Sequence, residues 1–164
     1  MKKFKIEFKW ALIFTAASLL WMYFEKAMGW HGEHIEQHPI YTNLFGIVAI
    51  IIYVLALRDK RENFYNGIMD WKQGFLSGAI LSIIIAAITP LAQYVAHTYI
   101  SPQYFENMIA HSVENNIMKI EAAENYFVLS KYMFMSAFFA LSVGIVTAAV
   151  VAWFLKSKPK IEDR

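Results

Sequence analysis

Four long stretches free of Asp, Glu, Lys and Arg divide this 164-residue chain, and they limit its fold more than any other feature. Residues 10–24 form the first, which reaches spanning length if it continues to Trp30. Residues 39–57 give nineteen uncharged positions, 73–105 thirty-three and 132–155 twenty-four. A helix needs about 20 apolar residues to cross a bilayer, so four crossings absorb ~80 residues and leave only tails and loops. No soluble catalytic domain fits in the remainder. Composition agrees: 58% of residues are hydrophobic and 17% charged, with a mean hydropathy of +0.38, more apolar than a single soluble core requires. The expected fold is all-α, a polytopic membrane four-helix bundle forming one domain over 1–164, with spans near 9–29, 39–57, 73–98 and 132–155. The third run is too long for one crossing, so its helix should project beyond the bilayer or change character after Pro90.

Charge placement orients the bundle. Four spans put both termini and the loop 58–72 on one side. That side holds Lys2, Lys3, Lys5, Lys9, Arg58, Lys60, Arg61, Lys72, Lys156, Lys158, Lys160 and Arg164, twelve of fifteen basic residues. Only Lys26, Lys119 and Lys131 fall on the other. Because basic residues are retained on the cytoplasmic face, both termini are expected in the cytoplasm of a bacterial inner membrane. The N-terminal basic-then-apolar pattern could be a secretory signal, but it runs into Trp21, Met22, Tyr23 and Phe24 rather than a small-residue cleavage site. An uncleaved first span is expected. The absence of cysteine excludes disulfides, thiolate metal sites and a Cys nucleophile.

The two halves resemble each other. Gly46-Ile47-Val48 opens a tract ending in Leu57-Arg58, and Gly144-Ile145-Val146 opens one ending in Leu155-Lys156. A tandem hairpin repeat, 1–61 and 67–160, is one reading; chance likeness of apolar helices is the other. Small residues, which let helices approach closely in lipid, recur every three or four positions. The third span carries Gly74, Gly78, Ser82, Ala86 and Thr89, and the fourth Ser136, Ala140, Gly144 and Thr147.

At the outer ends these stripes become polar. Glu25 is the only carboxylate within a span; Gln93 and His97 continue the third stripe, and Asn43 opens the second. Ionisable groups at membrane depth are costly and tend to face a partner or water. Glu25, Asn43, Gln93 and His97 therefore outline a ligand or proton pocket, with snorkelling of Glu25 and Lys26 to the headgroups as the alternative. His31, His34 and His38 form a candidate metal set, since imidazoles and carboxylates suit zinc. Their order matches no zinc-protease pattern, and Pro39 biases His38 away from helical geometry. A polar turn titrating near pH 6.5 is the preferred reading.

Ser101-Pro102 is a good helix start. It should open an amphipathic outer helix with Phe105, Met108, Ile109, Val113, Ile117 and Met118 on one face. On the inner side, Arg58, Lys60, Arg61 and Lys72 offer a cationic surface to a partner or to lipid headgroups. No phosphate-binding loop, nucleophile elbow or dinucleotide fingerprint is present. No cofactor and no nucleic-acid partner is expected.

Several motifs together resemble domain-of-unknown-function family 4199, small four-span membrane proteins of Bacteroidota. They are Trp21-Met22 with Glu25-Lys26; His38-Pro39-Ile40-Tyr41-Thr42-Asn43-Leu44-Phe45; Tyr53-Val54-Leu55-Ala56-Leu57-Arg58; Trp71-Lys72-Gln73-Gly74-Phe75; Pro90 with Gln93-Tyr94; and His97 with Ile100-Ser101-Pro102 leading to Tyr104-Phe105. The likeness spans about 6–156. It carries no activity, but it implies a partner among membrane glycosyltransferases acting on polyprenyl phosphate. Three functions follow as expectations. The first is an accessory or scaffold subunit of a membrane complex. The second is a small dimeric transporter or proton-coupled carrier working through the Glu25 pocket. The third and least favoured is an outer-leaflet enzyme in which His31, His34, His38 and Glu25 hold a metal.

Overall fold

The computed structural model describes residues 4–157; Lys2, Lys3, Lys158, Lys160 and Arg164 lie outside the described residues. The chain is all-helical, 83% helix, with no strand among the described residues. Four long helices form its body: α1 (Lys5–Ala27), α3 (Phe45–Asn63), α4 (Trp71–Val95) and α7 (Leu129–Leu155). Short helices decorate one end: α2 (His38–Tyr41), α5 (Tyr104–Glu114) and α6 (Ile120–Tyr126). Three helical stretches, Ile35–Asn63, Trp71–Ile100 and Leu129–Leu155, are long and apolar enough to cross a membrane. α1 has 23 residues and packs against α3 and α4 within the same bundle.

The small-residue stripes meet where α4 and α7, the most extensively packed pair, run antiparallel. A Cβ added at Gly74 would lie 3.1 Å from the Ala152 Cβ, and one at Gly78 only 2.5 Å from the Ala148 Cβ. One added to Gly144 would collide with the Tyr53 hydroxyl and Ser82 Oγ, at 2.5 and 2.7 Å. The contacts step by four residues along each helix, the repeat of one helix face. Lipid offers little drive for helices to associate, so this backbone proximity supplies the dispersion energy that holds them. Ser82 Oγ donates to the Gly78 carbonyl (2.8 Å), which leaves the Tyr53 hydroxyl to donate to Ser82 (2.8 Å). The polar atoms at the centre of the bundle are thereby satisfied.

Side-chain contacts gather the N-terminus of α1, the end of α3, the start of α4 and the end of α7 at one end of the bundle. Lys9 bonds Asp59, Trp10 Nε1 donates to the same carboxylate (2.7 Å), and Arg61 reaches the Leu155 carbonyl (3.2 Å). The 58–61 charge cluster belongs to α3 itself, which continues helically to Asn63. Asn66 and Gly67, both at positive φ, then turn the chain. Asp70 and Gln73 start α4 with a reciprocal capping box. Met69, fully buried, accepts at its carbonyl from the Ser157 backbone N–H (2.8 Å), fastening the turn to the end of α7.

At the opposite end α4 runs through Pro90 and changes character after it, at Ala96–Ile100, one π-helical turn. Two other features of this end depart from expectation. The expected amphipathic helix begins at Tyr104 rather than Ser101, and Asn116 at φ 55 breaks it before α6. His38 is helical (φ −52, ψ −46) despite preceding Pro39. It opens α2, where proline in the first turn forfeits no hydrogen bond because the first N–H groups of a helix have no acceptor anyway.

Candidate functional site: a buried glutamate–histidine centre

Glu25 lies in the last turn of α1 and is 2% exposed. The chain reverses directly beyond it. Gly29 takes φ +79, a conformation that costs glycine little, and the Trp30 N–H returns to the Glu25 carbonyl (3.0 Å). The reversal brings His31 and His38 back onto the carboxylate. His31 Nε2 is 3.3 Å and His38 Nε2 3.9 Å from Glu25 Oε2, while Trp21 Nε1, one turn earlier on α1, donates to Oε1 (2.9 Å). One ligand atom from each of Glu25, His31 and His38 lies within 4.8 Å of the other two, and all three residues are buried.

A second layer holds this arrangement. The Trp30 ring stacks on Tyr41 (centroids 4.2 Å, 6° between planes), bracing the two limbs of the turn. Asn107 on α5 donates to the His31 carbonyl (2.7 Å). Tyr104, also on α5, sits edge-on to both imidazoles at 5.0 and 5.2 Å. Burial and the neighbouring Tyr132 phenol push the Tyr104 phenol well above its ordinary range, so it stays protonated. The far side of Tyr104 meets His97 (4.9 Å), whose Nε2–H faces Gln93 Oε1 (3.1 Å). His97 sits in the π-helical turn, a device that commonly re-aims side chains at functional sites.

The structure therefore brings together Glu25, His31 and His38, with Gln93 and His97 behind Tyr104. Asn43 is exposed and donates locally to the Pro39 carbonyl, apart from the centre. His34 is exposed, 4.0 Å from Glu36, and the histidine set closes on Glu25 without it. At the opposite end of the bundle Arg58 and Lys72 are exposed and Arg61 half-buried. Lys60 is buried at 3% exposure and pairs with Glu7 (2.8 Å), so the cationic surface is Arg58 and Lys72 with part of Arg61.

Trp21, Tyr104, Asn107 and Tyr132 complete the glutamate–histidine centre, and sequence reasoning missed them as site residues. Trp21 precedes Glu25 by four residues, the spacing of neighbours on one helix face, which was a usable signal. Tyr104 entered only through the family resemblance, and Tyr132 only as the first residue of the fourth uncharged stretch. Two buried nitrogens, His31 Nδ1 and His97 Nδ1, find no hydrogen-bond partner among the described residues. Such atoms cost about 1–3 kcal/mol each when left unmet, which marks the centre as chemically unfinished. Imidazole pairs beside a carboxylate can move a proton or hold a divalent cation.

No curated protein and no solved structure matches the chain. The family model described as a protein of unknown function, DUF4199, matches residues 9–157, and the chain belongs to that family.

Proposed function

We propose that this protein crosses a bacterial inner membrane four times, with both termini cytoplasmic, and serves as a non-catalytic subunit that braces a membrane enzyme. The observation that carries this reading is the closed middle of the bundle. Gly74, Gly78 and Gly144 bring helices into contact where a carrier of this size would need a polar route between its two ends. A rigid, close-packed bundle suits a scaffold and resists the rocking that alternating access requires. The outward face of α7 supports the same role: Phe134, Phe138 and Phe154 are each more than 70% exposed, a ridge that lipid or a neighbouring helix can cover. Exposed Arg58 and Lys72 offer an acidic partner a contact at the inner rim, and their side becomes cytoplasmic under the positive-inside rule. The family resemblance makes a polyprenyl-phosphate glycosyltransferase the first partner to look for.

Purifying a gently tagged chain from its native host in mild detergent tests the proposal. One membrane enzyme is expected in stoichiometric amount, and it should be lost from the combined Arg58→Glu and Lys72→Glu variant. A solitary chain or a simple homodimer overturns the subunit role.

A further inference from the structure

The geometry points to a divalent metal site of the zinc class at the outer end of the bundle, formed by Glu25, His31 and His38. The inference is independent of the subunit role, because a brace can carry a metal and a lone chain can do so equally.

Three observations converge on it. The first is distance. A cation held ~2.0–2.1 Å from nitrogen and oxygen ligands in tetrahedral geometry sets them about 3.4 Å apart. His31 Nε2 already stands at 3.3 Å and His38 Nε2 at 3.9 Å from Glu25 Oε2. All three ligand atoms lie within 4.8 Å of one another, so ring rotations of the order of 1 Å close the set.

The second is charge. The ion-pair partners of Glu25 are two imidazoles, and no lysine or arginine pairs with it among the described residues. A carboxylate 2% exposed is thus left without a fixed cation, and buried charges are kept only where they are paired or bind a metal. A divalent ion would supply the missing charge and take both ring nitrogens as ligands, replacing the His31 Nε2 contact with Glu25 Oε2.

The third is support. Trp21 Nε1 occupies Oε1 and leaves Oε2 for the metal, and Asn107 pins the backbone of His31. Anchoring around the ligands of this kind is what fixes a metal site. The donor set selects the ion: two imidazoles and one carboxylate suit zinc, cobalt or iron and disfavour magnesium and calcium, which require oxygen ligands. Three protein ligands leave a fourth position for water or for a group from a substrate or partner.

Zinc and cobalt are the probes. The full chain, purified in detergent and stripped with a chelator, should take up one zinc per chain against a competing chromophoric chelator. It should take up one cobalt with the intense visible bands of a tetrahedral site. His31→Ala and His38→Ala should each weaken zinc by about 100-fold, whereas His34→Ala should leave it unchanged. Cobalt binding by the unsubstituted chain needs no variant and stands even if a substitution unfolds the bundle. Binding below 0.2 equivalents, octahedral cobalt bands, or equal loss in His34→Ala overturns the site.

Discussion

Glu7 and Glu25 sit on the same face of α1, five helical turns (~27 Å) apart, and each is 2% exposed. The environments built around them are opposite in kind. Glu7 Oε1 accepts from Lys60 Nζ (2.8 Å) and from the Ser77 hydroxyl (2.7 Å), and the Lys60 cation also lies 3.9 Å from the Phe64 ring centroid. This cluster ties α1, α3 and α4 together through a buried lysine–carboxylate pair and a hydroxyl. Glu25 faces two imidazoles, partners that can also ligate a metal. Burial alone does not make an ionisable group functional; the partner decides whether it is a fastener or a responsive centre.

The largest effect expected from this contrast is at the Glu7 end. Lys60→Met strands the Glu7 carboxylate, whose Oε2 already finds no hydrogen-bond partner among the described residues. Breaking one side of a buried pair costs about 3–5 kcal/mol, a fall of roughly 10 °C in thermal-shift midpoint for a chain of this size. Combining it with Glu7→Gln should recover more than half of the loss, because it is the uncompensated charge that destabilises. If the double variant melts no higher than Lys60→Met alone, the pair is not what fastens that end.

The next effect belongs to the layer between the two clusters. Gly78→Ala places a methyl 2.5 Å from the Ala148 Cβ, and overpacking of this kind costs about 1–3 kcal/mol. Adding Ala148→Gly moves the methyl to the other helix and should restore the melting midpoint. Failure of that exchange would mean that α4 and α7 tolerate separation, and the two ends would then be less rigidly linked than the contrast requires.

The long helices were legible because lipid imposes a simple rule on sequence: every crossing must be long and uncharged. The contact stripe on α4 was equally legible, since Gly74, Gly78 and Ser82 can be read as a face from spacing alone. The two clusters were not, because each joins residues distant in sequence. Glu7 with Lys60 and Ser77 depends on three helices meeting in register. Reading Arg58, Lys60 and Arg61 together as a cationic surface overlooked that helical periodicity turns Lys60 inward while Arg58 stays out. At the other end the sequence singled out Glu25, and it grouped His31, His34 and His38 by proximity along the chain. The reversal at Gly29 and the helical start at His38 choose His31 and His38 instead, and no periodic pattern encodes a turn of that kind.

The smallest effect is the one that separates the clusters most sharply. Glu25→Gln keeps a carbonyl oxygen for the Trp21 indole N–H and removes a buried charge that no fixed cation offsets. Unlike Lys60→Met, it leaves no unpaired charge behind. The metal-free protein should therefore melt within about 1 kcal/mol of the unsubstituted chain, the net worth of one ordinary hydrogen bond. Its response to zinc should nevertheless disappear. A ligand that binds only the folded state at 100 times its dissociation constant stabilises by about 2.7 kcal/mol, or several degrees. That rise should appear in the unsubstituted chain and be absent from Glu25→Gln. If Glu25→Gln instead lowers the metal-free midpoint as far as Lys60→Met does, the two ends are the same device, and Glu25 is a fastener like Glu7.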